Sequence, residues 1–274
     1  MPRLTTENHT LYYTTAGKAT DPPLLILHGF LGSHLDFAAT LPALSEHFYC
    51  ITPDLPGHGQ TLTAPGSYTF PTTTKTLLSL LDHLSITRTH LLGYSMGGRL
   101  ALYLVCHFPE RFRRVVLESA SPGLKTAAER RQRVKKDEAI AHQLETMSLS
   151  DFLTQWYTNP LFLSLKNFPE HYEVMLRCRQ ANDPIELSYA LRGFSTGRQP
   201  SLWHQLSHIS SPLLLLVGTL DHKFAIINRS MLAHYQRNRA TQAVLKACEC
   251  GHNIHREAPN TYSQIVSNFL QKPW

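Results

Sequence analysis

Short apolar runs alternate with segments of helical spacing along most of the chain. Residues 24–27 and 213–217 are apolar throughout, and residues 89–92 end in an apolar pair. Such runs are typical of strands that are buried on both faces of a parallel sheet. Residues 72–84 instead carry leucines three and four positions apart, which is the spacing of one helix face. The alternation predicts an α/β fold with a mostly parallel central sheet flanked by helices.

Apolar periodicity and turn residues together set the approximate limits of the sheet-forming elements. The predicted strands are residues 10–15, 24–27, 48–52, 89–92, 114–120, 212–218 and 243–247. The predicted helices between and after them are residues 36–44, 72–84, 99–105, 226–235 and 260–270.

The alternation of strands and helices lapses between about residues 121 and 211, where the pattern predicts several helices joined by turns. An all-helical insertion between two core strands would form a cap over the strand ends, the edge where open α/β sheets bind ligands. We therefore predict a core of residues 1–121 and 212–274. A helical cap of residues 122–211 follows the strand that ends near Ala120, and no repeat or linker marks a further domain.

A Gly-x-Ser-x-Gly sequence occupies residues 93–97, between a predicted strand and a predicted helix. In this context the pattern indicates a nucleophile elbow. The two glycines leave room for a tight turn that exposes Ser95, and the following helix directs the positive end of its dipole toward the site. Ser95 is therefore the candidate reactive serine, although the bare pattern also occurs by chance in glycine-rich turns.

Two further strand ends carry the partners that such a serine needs. Asp221 follows the predicted strand 212–218, and His252 lies in the loop after strand 243–247. The order nucleophile, acid, histidine is that of the α/β-hydrolases. His252 would accept the Ser95 proton, and Asp221 would hold the imidazole tautomer and stabilise its protonated form. Asp221 as a helix cap and His252 as a turn residue are the structural alternatives.

Residues 28–33 form a glycine-rich loop after the predicted strand 24–27. In α/β-hydrolases a His-Gly at this point begins a loop whose backbone N–H supplies half of an oxyanion hole. The other half comes from the residue after the nucleophile. The expected donors are the N–H groups of Phe30 and Met96, and a simple strand-to-helix turn is the alternative. We interpret His58, in the next loop, as a packing residue.

Composition limits the remaining possibilities. No apolar run approaches the length of a membrane span, and the first eight residues lack a secretory signal core, so we expect a cytoplasmic protein without membrane insertion. The five cysteines show no metal-ligand spacing, and reduced thiols are expected.

The net charge of +6 could favour nucleic acid, an anionic surface or a small polyanionic ligand. Because no aromatic residues interleave with the basic ones, we expect no nucleic-acid partner.

Five sequence strings together resemble the MenH family, the 2-succinyl-6-hydroxy-2,4-cyclohexadiene-1-carboxylate synthases of menaquinone and phylloquinone biosynthesis. The resemblance extends from about Leu24 to Pro259. The elbow and Gly-His strings are shared with many hydrolases, so the specific ones are Tyr94, Arg99 and the strings of the predicted cap. The five strings are residues 28–33, 93–99, 118–124, 156–162 (without residues 158 and 159) and 250–255.

The resemblance implies a carbon–oxygen lyase and not a hydrolase. Family members remove a proton from a cyclohexene tricarboxylate, and the carbanion expels the enolpyruvyl group as pyruvate. Ser95 activated by His252 would then be a general base, and the N–H groups of Phe30 and Met96 would stabilise the developing oxyanion. No metal, nucleotide or flavin site is visible, and we expect no cofactor.

The implied substrate carries several carboxylates, which arginine forks suit geometrically. Arg99 matches the family's arginine on the elbow helix. Arg130 and Arg177 compete for the roles that we assign to two other arginines of the predicted cap. The substrate-binding residues implied by the resemblance are Tyr94, Arg99, Arg133, Trp156 and Arg179.

Two other functions remain open from the sequence. A serine hydrolase acting on a small ester, a thioester or a carbon–carbon bond would use the same triad. A protein of this fold that only binds a small ligand is the third possibility, against which the intact triad argues. We expect a small anionic substrate and a monomer or weak oligomer.

Overall fold

The computed structural model describes residues 2–237 and 242–272. Nine strands form one mixed sheet, which runs in the order β1-β2-β4-β3-β6-β7-β8-β9, with β5 paired to β2. The strands are β1 Arg3–Thr5, β2 His9–Ala16, β3 Pro23–Leu27, β4 Tyr49–Pro53, β5 Leu62–Thr63, β6 Thr89–Tyr94, β7 Phe112–Glu118, β8 Leu213–Gly218 and β9 Ala243–Cys248.

Ten α-helices and four 3₁₀ segments occur in the described residues. The 3₁₀ segments are His34–Phe37, Pro109–Arg111, Pro160–Asn167 and Leu206–His208. The helices are α1 Leu41–Ser45, α2 Phe70–His83, α3 Met96–His107, α4 Ala127–Thr146, α5 Leu149–Trp156, α6 Pro169–Gln180, α7 Pro184–Gly193, α8 His222–Tyr235, α9 Ile254–Glu257 and α10 Pro259–Leu270.

Parallel pairing joins β4, β3, β6, β7, β8 and β9, whereas β2 pairs antiparallel with β1, β4 and β5 at one edge. The prediction of a mostly parallel central sheet flanked by helices is confirmed. Each uniformly apolar strand has two buried faces. Leu25 and Leu215 pack with α2, α3 and α8, whereas Leu24 and Leu214 pack with α1 and α10. This double burial is the physical reason for the uninterrupted apolar runs.

The predicted helix 36–44 is wrong in part. The structure divides it into the 3₁₀ segment His34–Phe37 and the short helix α1. Ser33 accepts a hydrogen bond from the Leu35 N–H and starts the first turn, and a proline in the first turn of α1 starts the second. The short strands β1 and β5 were not predicted, because two or three residues carry no readable alternation.

Helices α4 to α7 and the 3₁₀ segment Pro160–Asn167 lie between β7 and β8 in the chain, and we call residues 127–193 the helical segment. Most of its buried apolar side chains form a third cluster, together with Leu31, beside the two clusters on the faces of the sheet. Within residues 2–237 and 242–272, no helix has both the length and the apolarity that a membrane span requires. The predicted core limits at residues 1 and 274, and residues 238–241, lie outside the described residues.

Candidate active site

Ser95 sits on a strained turn between β6 and α3. Its backbone has φ 49° and ψ −106°, in the left-handed range that a side chain normally avoids. β6 and α3 approach so closely that a Cβ on Gly93 would lie 2.5 Å from the Gly97 carbonyl oxygen, and a Cβ on Gly97 would lie 2.3 Å from the Leu27 carbonyl oxygen of β3. The Ser95 N–H donates to the Glu118 carbonyl at 2.9 Å and anchors the turn to β7. The predicted elbow therefore has a physical basis in its glycines.

Three side chains from three strand ends form a continuous hydrogen-bonded chain. The Nε2 of His252 lies 3.1 Å from Ser95 Oγ, and Nδ1 lies 2.6 Å from Asp221 Oδ2. Both His252 and Asp221 are buried. The second carboxylate oxygen of Asp221 accepts the Phe224 N–H at 3.2 Å and caps α8. The helix-cap alternative is thus true as well, because Asp221 both caps α8 and contacts His252.

Aromatic rings surround the His252 imidazole and limit its rotation. Ring centroids of Phe224, Tyr94 and Phe162 lie 4.7, 5.5 and 5.8 Å from that of His252. The loop that carries His252 is tied to β7, because His255 Nδ1 lies 2.9 Å from the buried Glu118 carboxylate. Sequence reasoning did not identify this second histidine–carboxylate pair.

The loop after β3 brings Phe30, whose N–H is one candidate oxyanion donor, to the wall of the cavity that Ser95 lines. The other candidate donor, the Met96 N–H, belongs to the first residue of α3. In the described part of the chain, neither N–H donates to a protein acceptor.

His58 Nε2 accepts the Leu31 N–H at 3.2 Å, and its Nδ1–H donates to the Pro56 carbonyl at 3.0 Å. Burial, and then the neighbouring His28, lowers the pKa of His58 to about 3, so it stays neutral. His58 therefore positions the loop, as a packing residue would.

A cavity of about 730 Å³ opens onto Ser95 and His252, between the sheet edge and the helical segment. Among its described lining residues, the one acidic side chain is Glu129, whose carboxylate accepts the backbone and side-chain donors of Thr126. Six lining side chains are cationic: Arg99, Lys125, Arg133, Lys136, Arg179 and Lys223. Because six cationic side chains face a single acidic one among the described lining residues, the wall carries a net positive charge, which favours anionic ligands.

Arg99 and Arg133 each donate one hydrogen bond to a neighbouring side chain and have further N–H groups on their guanidinium ends. Arg99 Nη1 donates to Gln199 Oε1 at 3.3 Å, and burial, then the nearby Arg133, lowers its pKa. Arg133 Nε donates to Asp137 Oδ1 at 2.7 Å, while Ser195 donates to the other oxygen of Asp137. The terminal nitrogens of Arg133 have no acceptor among the described residues. An anion between these two guanidinium groups would offset their mutual repulsion.

Arg179 lines the cavity but is only 1% exposed. Its Nη2 donates to Asp36 Oδ1 at 2.5 Å, and Arg256 Nη2 reaches the same oxygen at 2.7 Å. Burial alone would raise the pKa of Asp36, but the two arginines reverse this and hold it well below its usual range. Asp36 was missed by sequence reasoning, since 143 residues separate it from Arg179.

Tyr94 and Trp156, the aromatic residues of the predicted site, both line the cavity. The Trp156 ring packs against Phe30 at 5.6 Å between centroids. The Tyr94 ring lies 4.6 Å from that of His255, and a Cβ on Gly29 would come within 2.5 Å of it. Burial and then Glu118 raise the pKa of the Tyr94 hydroxyl, which stays protonated. Tyr94 thus packs beneath the elbow and also faces the cavity.

The structure separates the competing arginines of the helical segment. Arg130 Nη1 donates to the Leu124 carbonyl at 3.2 Å and Arg177 is exposed, and neither belongs to the described lining of the cavity.

Lys223 was not predicted, although it comes two residues after Asp221 in the first turn of α8. Its position beside a catalytic candidate was the available signal. Over the described ranges, no cluster of His, Cys, Asp and Glu side chains could hold a metal ion.

Comparison with known proteins shows which family the chain resembles over most of its length. The model of the alpha/beta hydrolase fold family matches residues 22–259. A Bacillus subtilis protein provisionally named 2-succinyl-6-hydroxy-2,4-cyclohexadiene-1-carboxylate synthase is 36% identical over 257 residues, 93% of this chain and 92% of that protein. The synthase of that name from Serratia proteamaculans is 32% identical, covering 94% and 96%.

Among solved structures, MenH from S. aureus has a TM-score of 0.87 to this chain, with 31% sequence identity. The match covers 97% of this chain and 98% of that one. Sheet, elbow and helical segment are therefore similar over almost the whole length of both proteins.

Proposed function

The chain belongs to the α/β-hydrolase fold family and, within it, to the 2-succinyl-6-hydroxy-2,4-cyclohexadiene-1-carboxylate synthases, and from this membership we propose how its site performs their reaction. The enzyme is a lyase of menaquinone or phylloquinone biosynthesis. It eliminates pyruvate from 2-succinyl-5-enolpyruvyl-6-hydroxy-3-cyclohexene-1-carboxylate. The observation that carries the proposal is a cation-lined cavity that opens directly onto the Ser95–His252 pair.

Ser95 is the general base in this proposal. Its hydroxyl takes a ring proton of the substrate as its own proton passes to His252 Nε2, 3.1 Å away, and Asp221 stabilises the imidazolium. The electron pair released forms the second ring double bond, and the bond from the ring to the enolpyruvyl oxygen breaks. The leaving enolpyruvate takes up the proton held by the triad and becomes pyruvate, so no net proton is consumed.

The N–H groups of Phe30 and Met96 stabilise the negative charge that develops on a substrate carboxylate or carbonyl oxygen. Both are free of protein acceptors in the described part of the chain, so an oxyanion would not have to displace an existing hydrogen bond. Fixed backbone dipoles of this kind need little reorganisation during the reaction. His28 and His58, buried and with lowered pKa values, hold this loop without adding charge.

The substrate class is a small polycarboxylate. Arg99, Arg133 and Arg179 supply planar guanidinium donors, and Lys223 supplies a fourth cation in the first turn of α8, two residues after Asp221. Desolvation by the surrounding protein, and then the nearby Arg133, lowers the pKa of Lys223, so its charged form carries an energetic penalty. A bound carboxylate would remove that penalty. Tyr94 and Trp156 complete the wall, and they shape the pocket around the ring.

Residues 122–211 act as a cap domain on the core of residues 1–121 and 212–274, in our proposal. Support comes from the cavity, which is lined by both parts, and from the separate apolar cluster of the helical segment. A cytoplasmic location, supported by the bacterial relatives, and a monomer or weak oligomer are further parts of the proposal.

Pyruvate release tests the proposal. The enolpyruvyl substrate is generated in situ by the preceding enzyme, and pyruvate is followed with and without this protein. Acceleration over spontaneous breakdown, lost in Ser95→Ala, is expected. If folded protein gives no acceleration, the lyase role is overturned. Assay of ester and thioester substrates would then test the serine hydrolase that shares the triad.

A further inference from the structure

A second basic cavity lies at the other end of the sheet from Ser95. Its volume is about 360 Å³, and it is formed where β6 and β7 begin and α10 ends. Five of the nine lining residues carry basic side chains and none is acidic: His47, His90, Arg113, Arg114 and Lys272 are the basic ones. His90 and Ser95 are five residues apart along β6, so the two sites are separated by about 16 Å.

An irregularity in strand pairing brings the basic residues together. The pairing of β6 with β7 shifts between Thr89, opposite Phe112, and Leu91, opposite Val115. One residue of β6, His90, therefore faces two residues of β7, Arg113 and Arg114. Such a bulge inserts an extra residue and bends the strand, and bulges are common where a side chain must be redirected.

The His90 imidazole is buried, and one of its ring nitrogens forms no hydrogen bond with the described residues. It is 5% exposed, and its Nδ1 has no hydrogen-bond partner in the described structure. Burial, and then Arg113 and Arg114, lowers its pKa to about 4. Arg113 Nε is also buried with no partner among the described residues. Buried donors without acceptors are rare, because each costs about 1–3 kcal/mol.

Arg114 lines this cavity and is held in place by two contacts. Its Nη2 donates to the Lys272 carbonyl at 3.1 Å, and its guanidinium lies 5.5 Å from the Phe269 ring centroid. The end of α10 is thereby tied to β7 at the cavity. The fold concentrates positive charge here, and none of the lining residues within 2–237 and 242–272 is acidic.

We propose that this cavity is a binding site for a phosphate group, either as inorganic phosphate or as a phosphate monoester. His90 donates from its unpartnered ring nitrogen, and Arg113 donates from its buried Nε. Arg114 adds charge from the neighbouring position. Several donors on two neighbouring strands suit a tetrahedral oxyanion, which accepts hydrogen bonds in several directions, better than a flat carboxylate. The site is independent of the proposed lyase activity, because it shares no lining residue with the cavity at Ser95.

Thermal unfolding and calorimetry of the full chain test the site, with inorganic phosphate and glycerol 3-phosphate as separate probes at constant ionic strength set by chloride. A saturable rise in the unfolding midpoint is expected with at least one probe. Tighter binding of the ester would identify a monoester site, and equal or weaker binding would identify inorganic phosphate. No rise beyond that in chloride overturns the proposal.

Substitutions in and outside this cavity test where phosphate binds. Arg113→Gln should weaken phosphate binding at least tenfold, and Arg113→Lys should restore part of it. Arg111→Gln is the matched control, since it removes one charge from an ion pair beside the same strand but outside the cavity. Arg133→Gln tests the cavity at Ser95. If phosphate binding is lost in Arg133→Gln and kept in Arg113→Gln, the anion binds near Ser95 and the proposal is wrong.

Discussion

The sheet edge and the helical segment contribute to one cavity in different ways. At the sheet edge, Ser95, His252 and Asp221 are linked to each other by direct hydrogen bonds. In the helical segment, Arg133 uses one donor on Asp137 and keeps others without a protein acceptor. The triad is thus already connected within the protein, whereas the helical segment still has donors to satisfy.

This difference separates proton transfer from substrate selection. Groups that move protons must be prepositioned, because small misplacements cost large rate factors. Groups that select an anion gain most when their charge is unpaired until the ligand arrives. Arg179 is intermediate, since Asp36 pairs with it from the core while it lines the cavity. Variants of the triad and variants of the cationic cavity wall should therefore differ in which kinetic constant they change.

Ser95→Ala should have the largest effect on catalysis. Without the serine hydroxyl, turnover should fall by about 10⁴-fold or more. Stability should be nearly unchanged, because the replaced group is a single partly exposed oxygen on a strained turn. Steady-state pyruvate release and urea unfolding measure the two quantities. Ser121→Ala, in a second serine of the cavity wall, is the control and should keep normal turnover. An active, folded Ser95→Ala variant would remove the triad assignment.

Asp36→Asn should be the most destabilising change at the junction of the two regions. It leaves Arg179 and Arg256 buried without their carboxylate, which typically costs about 3–5 kcal/mol. The folded-state pKa of Asp36 is lowered, so its stabilisation is complete above its unfolded pKa and is lost as pH falls below about 4.

Urea unfolding of wild type and Asp36→Asn from pH 7 to pH 3 measures this contribution. The stability difference should be constant at neutral pH and shrink in acid. Asp82→Asn is the control: its ion pair with Arg111 is exposed, and the change should cost less than about 1 kcal/mol. Equal stability of wild type and Asp36→Asn would show that the ion pair does not hold the regions together.

Arg99→Ala should weaken the handling of anionic substrate while leaving the proton-transfer groups in place. Loss of a charged hydrogen bond is worth about 1.5–3 kcal/mol, which corresponds to a fall in kcat/KM of about 10- to 150-fold. Most of that fall should appear in KM. Arg99→Lys should recover only part, because an ammonium cannot bind a carboxylate with two parallel donors. Unchanged kinetics in Arg99→Ala would exclude the binding role.

Lys223→Met should have a smaller effect, with KM raised about tenfold and kcat nearly kept. Burial lowers the pKa of Lys223, so the wild-type enzyme should lose kcat/KM as pH rises through that lowered value. The variant should lack this alkaline decline. Lys75→Met, on the exposed face of α2, is the control and should retain the wild-type profile. Identical pH profiles for wild type and Lys223→Met would show that the lysine does not face the substrate.

Arg177→Gln should have the smallest effect of all. Arg177 is exposed on α6, two residues before the buried Arg179, and it does not belong to the described cavity lining. Its loss should change kcat/KM by less than about twofold, within the range of surface substitutions. A large rise in KM in this variant would mean that α6 presents its other face to the ligand.

The amino-acid sequence by itself determined the sheet and the strand ends that carry Ser95, Asp221 and His252. Strands buried on both faces leave uninterrupted apolar runs, and the glycines of the elbow are required by the contact of β6 with α3. These are local signals, because each depends on residues close together in the chain.

Only the tertiary structure decided which charges of the helical segment face the cavity. The buried positions of α4 are Asp137, Ala141 and Leu144, and those of α6 are Met175 and Arg179. Each buried face includes a charged residue, which pattern reasoning assigns to solvent. The burial is possible because partners distant in the chain, Ser195 for Asp137 and Asp36 for Arg179, offset its cost. Such partners become neighbours only when the whole chain has folded.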